Sequence, residues 1–290
     1  MTRLAEIEAH AAGMAELQDI IAAMRSLAGM RMQEAWRALP GIRRYGEALT
    51  GAIGRALPLL PQAPSHYGPA AMAGKRALVL CMAEHGFVGG LNERLLEAAE
   101  AALDPADLLF ILGSRGAAGA EERGLKPGWT HPLATRCAGA QETARSLAAE
   151  LYRLMSKGMI GRIEVIFARA EPSGLPIVEK RLLLPLDPVK AGTAAPPPLH
   201  NLEPGLLLEK LIFEYFQGFL TEAAVEAIAA ENAARFAAMQ SAHDNVTRKL
   251  DALRHETAQV RQAEITTELL ELISGSGALN GKRHERAAGR

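Results

Sequence analysis

Chemically capable residues cluster at three places in the sequence. Gly86-Phe87-Val88-Gly89-Gly90 stands between an apolar run, Arg76–Met82, and a helical pattern, Asn92–Leu103. A glycine turn between a strand and a helix can cradle a phosphate on backbone N–H groups. Here no Gly-Lys-Ser/Thr and no Gly-x-Gly-x-x-Gly accompanies it, and no acidic residue follows at a convincing ribose position, so a structural tight turn at Gly86, Gly89 and Gly90 is the preferred reading. Arg261 and Gln262 stand near the end of a long helical pattern. A guanidinium fork can make charge-assisted bonds to a carboxylate while the neighbouring amide donates and accepts. From these residues alone, a solvated helix face is the simpler reading. His243 has no second metal ligand at helical spacing except exposed candidates, so it is read as a polar seam residue. No nucleophile-and-base arrangement or paired carboxylates stand out, and Glu6, Glu8, Glu16 and Asp19 read as the wet face of a helix.

Composition bounds the rest. The 290 residues are 49% hydrophobic and 22% charged, enough for one sizeable core with an extended helical element. A net charge of −1 and a pI near 6.7 give no reason to seek a nucleic acid or an anionic surface as partner. Only 4% of residues are aromatic, which suits long helices better than a large compact core. Cys81 and Cys137 lie far apart, in keeping with a reducing compartment and against a zinc site or disulfide scaffold. The first residues carry no apolar stretch of signal-peptide length, and no run approaches the ~20 apolar residues of a membrane span. The protein is therefore expected to be soluble, with any membrane association made through a partner.

The elements that must position these residues fall into four segments. Residues 1–59 read as a helix with an apolar stripe at Leu4, Ile7, Ala11, Met14, Leu17, Ile21, Met24 and Ala28. Its spacing alternates three and four with one slip at Leu17, the pattern of a coiled-coil seam. Pro40-Gly41 predicts a kink or break. Residues 60–204 change grammar. Prolines at 58, 61, 64 and 69 mark a linker, and Asp187–Pro198 closes the segment. Between them, strands at Arg76–Met82, Asp107–Leu112 and Ile163–Arg169 alternate with helices at Asn92–Leu103 and Gln141–Lys157, with Arg181–Leu186 beside the last strand. That alternation predicts a mostly parallel, Rossmann-like sheet. Residues 205–279 form one helical pattern with no proline after Pro204. Its heptad seam runs Phe236, Met239, His243, Val246, Leu250, Leu253, Thr257, Val260, then shifts to Ile265, Leu269 and Leu272. About 70 residues at ~1.5 Å each would span roughly 100 Å, far beyond a ~30 Å domain. Residues 280–290, with Lys282, Arg283, Arg286 and Arg290, read as a disordered basic tail. The fold expected is an antiparallel coiled coil of the N- and C-terminal helices with a central α/β domain. The heptads do not themselves show that the two helices pair with each other.

At this point the residues resemble the gamma subunits of F-type ATP synthases. Glu231-Asn232-Ala233-Ala234-Arg235-Phe236-Ala237-Ala238-Met239, Asp244-Asn245 and Arg261-Gln262-Ala263-Glu264-Ile265-Thr266-Thr267-Glu268-Leu269 are similar to that family's C-terminal signature. Glu84–Asn92 resembles its glycine turn, and Ile20, Ala23-Met24, Leu27-Ala28 and Arg31-Met32 resemble its first helix. The resemblance implies a rotor shaft that couples ion flow through a membrane ring to conformational cycling of catalytic subunits, itself without catalysis or cofactor. It implies as partners the alpha and beta subunits of the catalytic head, an epsilon subunit and the c-ring, at the cytoplasmic face of a bacterial inner membrane. It implies contacts to the catalytic subunits from Arg261, Gln262, Thr266, Leu269, Leu272, Ile273, Met24 and Arg31. Asp19, Ile21 and Ala22 depart from the family's Lys, Thr and Lys, and with them go basic contacts expected on that helix. Two other readings stay open on the residues alone: a small-molecule-binding α/β enzyme with helical oligomerisation arms, and a generic coiled-coil scaffold.

Overall fold

The computed structural model describes residues 3–60, 74–171, 176–185 and 199–287, with side chains described as far as residue 270. Prolines 61, 64 and 69, the stretch 187–198 and residues 288–290 lie outside the described residues. Two helices dominate, α1 (Arg3–Ala56) and α5 (Pro204–Ala287). Between them come β1 (Lys75–Cys81), α2 (Leu91–Ala102), β2 (Leu108–Leu112), α3 (Ser114–Glu122), β3 (Trp129–His131), α4 (Cys137–Ser156), β4 (Ile160–Arg169) and β5 (Ile177–Leu184).

The chain divides into two compact units. One holds residues 25–238, the other residues 1–24 with 239–290. The first unit therefore takes in more than the 60–204 segment, adding the adjoining stretches of α1 and α5. It is built on a five-stranded sheet in the order β3-β2-β1-β4-β5, parallel except where β5 runs antiparallel to β4. Alternation along β1 sends Ala77, Val79 and Cys81 to one face and Leu78 and Leu80 to the other. The first face packs against α4 and the adjoining parts of α1 and α5, through Leu147, Leu151, Ala35, Leu39, Leu220 and Ile228. The second is covered by α2 and α3, through Leu91, Leu95 and Ala120. Both faces of β1, β2 and β4 are largely buried, which is why they read as apolar runs, whereas the edge strands β3 and β5 are partly exposed. In this unit α1 and α5 are antiparallel. Ile53 and Ala56 pack with Leu208 and Ile212, Arg43 pairs with Glu226, and Gly29 lies against the Phe236 ring.

In the second unit the same two helices form an antiparallel coiled coil. Gln18 bonds Thr247, and Glu8 bonds Arg261, so the partner's number rises as α1's falls. The seam differs from the one expected. Along α1 the inward positions are Leu4, Ile7, Ala11, Met14, Gln18 and Ile21, an unbroken alternation of three and four. Leu17 is exposed, and the polar Gln18 occupies the place assigned to it. Along α5 the inward set runs from Met239 through Leu250, Leu253, Thr257 and Val260 to Glu264, continuing the heptad instead of shifting. Ile265 and Leu269 are 51% and 54% exposed. Among the described residues α1 begins at Arg3, and none of its described residues stands opposite α5 beyond Glu264.

Two further expectations are corrected. α1 runs unbroken through Pro40, which sits on the exposed side while buried Ala35 and Leu39 hold the helix against the core. α5 continues to Ala287, so residues 280–287 are helical where an irregular tail was expected; the stretch contains no proline to end the helix.

Candidate functional site

The glycine turn lies at the C-terminal end of β1, and α5 holds it. The N–H of Glu84 donates to Glu231 Oε2 at 2.9 Å and that of His85 to Glu231 Oε1 at 3.3 Å. Arg235 donates from Nε and Nη2 to the Gly86 carbonyl at 3.2 and 3.1 Å, and from Nη2 to Glu231 Oε1 at 2.6 Å. One carboxylate and one guanidinium therefore bind three consecutive residues of the turn. They can do so because positions 231 and 235 are one helical turn apart on the same face of α5. Asn232, whose Nδ2 donates to the Ile228 carbonyl, offers its Oδ1 to Arg235 Nη1 at 3.4 Å. All three side chains are buried, so the charges are affordable only as a pair with every bond made. Removing one partner of such a pair costs about 3–5 kcal/mol.

The turn passes the linkage on. Glu84 accepts from the Ser114 N–H and hydroxyl at 2.9 and 2.8 Å, at the start of α3, and from the Leu133 N–H at 2.8 Å. The N-terminus of α3 favours that carboxylate. Asn92 Oδ1 accepts the Ala83 N–H at 3.1 Å. The N–H groups that could have cradled a phosphate at residues 84 and 85 thus face a resident carboxylate, which supports the structural reading of the turn. Of its glycines only Gly89 needs to be one, with φ +55; an added Cβ at Gly86 or Gly90 meets nothing within 4 Å. Phe87 holds φ 60, unusual for a bulky side chain, and is 69% exposed.

The other residues singled out do not gather into one site. Arg261 is exposed and pairs with Glu8 at 2.7 Å within the chain, an engagement that sequence reasoning had assigned to a partner. Gln262 and Thr266 are exposed, the Thr266 hydroxyl donating to the Gln262 carbonyl at 2.8 Å. Leu269 faces solvent, while the side chains of Leu272 and Ile273 lie outside the described residues. Met24 and Arg31 are half-buried on α1, and Asp19 is exposed. His243 sits in the seam as expected, 3.7 Å from Asp244. Sequence reasoning missed the pairing of Glu231 and Arg235 with the turn. The signal was there, an acid and a base one helical turn apart in an otherwise apolar stretch of α5.

Nothing in this arrangement suggests bond chemistry. Burial pushes the Cys81 thiol up to about 12, far from a reactive thiolate, and raises that of Cys137, with Glu34 adding to the shift. Among the described residues no group of three or more His, Cys, Asp and Glu side chains is placed to hold a metal ion, and no helix is long and apolar enough to cross a membrane. A cavity of about 470 Å³ opens between α1, α4 and α5, walled by Ala38, Tyr45, Gln141 and Gly218 among others.

Comparison with known proteins gives this geometry a context. The sequence model of one family, described as ATP synthase, matches residues 3–279. The ATP synthase gamma chain of Prosthecochloris aestuarii is 25% identical over 300 residues, covering 97% of this chain and all of that protein. That of Histophilus somni is 26% identical over 291 residues, covering 94% and 98%. Among solved structures, a chain of the Euglena gracilis mitochondrial ATP synthase (OSCP/F1/c-ring, rotational state 3) superposes with a TM-score of 0.66 at 14% identity, covering 97% of this chain and 95% of that one. A chain of the Tetrahymena thermophila central stalk and c-ring superposes at 0.54 with 16% identity, covering 77% and 99%. At these identities the structures establish a shared fold.

Proposed function

The chain belongs to the ATP synthase family, and from that premise we propose that it is the gamma-type central shaft of a rotary ATP synthase. It couples ion flow through a membrane ring to conformational cycling of the catalytic subunits. The observation that carries this reading is the family match over residues 3–279, on a chain whose N- and C-terminal helices pair antiparallel and lie either side of an α/β sheet in the sequence. The chain is a non-catalytic subunit of a membrane-associated complex. The small-molecule enzyme and the free-standing scaffold are not favoured by these relatives.

The finer assignments rest on chemistry. A shaft must be stiff in torsion, which two supercoiled helices provide better than one. Its turning presents different surfaces to each catalytic subunit, and each orientation shifts that subunit's affinity for nucleotide. The end of α5 beyond Glu264, with Ile265 and Leu269 exposed and facing none of the described residues of α1, suits the bearing of an alpha–beta head. Gln262, Thr266 and Arg261 beside it supply hydrogen-bonding groups, and Met24, Arg31, Leu272 and Ile273 complete the proposed contact set. Asp19 and Ala22 present no positive charge, so catalytic subunits matched to this shaft should rely less on acidic loops there. The α/β unit would meet an epsilon subunit and the c-ring, at the cytoplasmic face of a bacterial inner membrane. ATP and magnesium would belong to the partners, with no cofactor on this chain. The test is co-expression with the alpha and beta subunits of its own operon: a stable complex containing one copy of this chain is expected, and a chain that never joins such a hexamer would end the reading.

A further inference from the structure

We infer that Glu231 and Arg235 are positioning residues that lock the α/β sheet to α5 against torsion, so that a load applied to the sheet turns the helix without slip. This inference rests on the shaft reading and adds to it where the load crosses between the two parts.

The geometry favours a lock over a mere contact. Apolar packing between α5 and the sheet, through Ala224, Ile228 and Ala230, resists separation but resists sliding poorly, since small side chains give shallow interdigitation. Directional bonds resist sliding, and they are concentrated at this turn. Glu231 takes the N–H groups of Glu84 and His85, and Arg235 forks onto the Gly86 carbonyl while bonding Glu231 itself. Rotating α5 about its axis would break the bonds to Glu84, His85 and Gly86 together, while the Glu231–Arg235 pair, internal to α5, would turn with the helix and lose its partners on the turn. The bonds are to backbone, so they grip the chain at the end of β1 rather than a side chain free to swing. Glu84 then carries the grip to α3 and to Leu133 beyond β3, spreading the load over neighbouring elements. The absence of a Cβ at Gly113 and Gly116 lets α3 approach closely enough: a Cβ at Gly116 would lie 2.1 Å from Met82 Cβ.

The experiment uses the whole complex reconstituted in vesicles, comparing ions pumped per ATP hydrolysed at rising opposing gradients. Arg235→Met alone risks misfolding because Glu231 is left buried and charged. The double variant Glu231→Gln/Arg235→Met keeps the volume and removes both charges, and it should fold. With the fork to Gly86 lost, both charges gone and only one acceptor left at position 231, the pumping-to-hydrolysis ratio of the double variant is expected to fall severalfold near the limiting gradient and much less at zero gradient. Arg235→Lys, which keeps the charge but loses the fork, should restore part of it. A loss of structure alone would lower the ratio equally at every gradient. A double variant whose ratio follows the wild type at all gradients would overturn the lock while leaving the shaft reading intact. A wild-type chain that supports no pumping would instead remove the shaft reading on which the lock rests.

Discussion

Gln18 donates from Nε2 to the Thr247 hydroxyl at 2.8 Å, placing a polar pair inside the seam of the coiled coil. Thr247 in turn donates to the His243 carbonyl at 2.9 Å. A polar residue at one seam position selects the register that gives it a partner, at some cost in stability. The double substitution Gln18→Leu/Thr247→Val should therefore raise the chain's stability by about 1 kcal/mol, read as a higher midpoint of denaturation. It should also loosen the alignment, read as increased hydrogen exchange along residues 4–21. A single Gln18→Leu should gain less, because the Thr247 hydroxyl keeps its bond to the helix.

Glycine is required in the turn at one place. Gly89→Ala forces a Cβ into φ +55 and should destabilise by about 1 kcal/mol. Gly86→Ala and Gly90→Ala, with open space at both positions, should lie within about 0.5 kcal/mol of the wild type. Thermal melts of the three variants decide the matter.

Much of this was legible in the sequence, and the failures share a cause. The buried strands announced themselves as apolar runs, and both long helices by their periodicity. Helix α3 escaped notice because Ser114–Glu122 is built of Gly, Ala and charge, and β3 because three residues carry no pattern. Leu17 was placed in the seam because it is the more apolar neighbour, yet the heptad geometry puts Gln18 there. Glu264 continues the seam in place of Ile265 for the same reason. In both cases hydrophobicity pointed to a surface left open, while the position along the helix decided what was buried. The acid and base at 231 and 235, one turn apart in an apolar stretch, mark a buried pair, but their hold on the turn spans residues far apart in the chain and no local pattern names the partner.

Buried charge makes stability depend on pH in two opposite ways. Burial raises the Glu226 carboxyl above its ordinary 4.5 despite the Arg43 guanidinium, and one of its oxygens is buried without a bond. The folded state thus keeps a proton that the unfolded chain has already released, and this contribution is lost as pH rises from 4.5 through the folded value. Glu226→Gln should flatten that slope and leave the protein as stable as the wild type, or more so, at pH ~8.

Glu164 behaves in the contrary sense. Burial alone would raise it, but Arg162, Lys180 and Arg76 together hold it below 4.5. Its contribution is complete above 4.5 and is lost as pH falls through the folded value. Glu164→Gln should cost about 1–2 kcal/mol at neutral pH, since Arg76 loses one buried carboxylate but keeps Asp107. Denaturant titrations at several pH values separate the two carboxylates.

The free end of α5 should matter to the complex and not to the chain. Leu269→Ala removes a side chain that is 54% exposed and should change the isolated chain's stability by less than about 0.5 kcal/mol. Arg261→Ala breaks an exposed pair with Glu8 worth about 0–1 kcal/mol. Both should weaken assembly with the catalytic hexamer, measured as dissociation of the purified complex. Unchanged assembly would remove these residues from the contact set.

The central claim is that this chain turns within a ring of catalytic subunits. The direct measurement attaches a bead to the α/β unit of the chain, holds the catalytic hexamer on a surface and supplies ATP. The account predicts unidirectional rotation in discrete steps that stops when ATP is removed. A complex that hydrolyses ATP while the bead shows only undirected Brownian motion would contradict it.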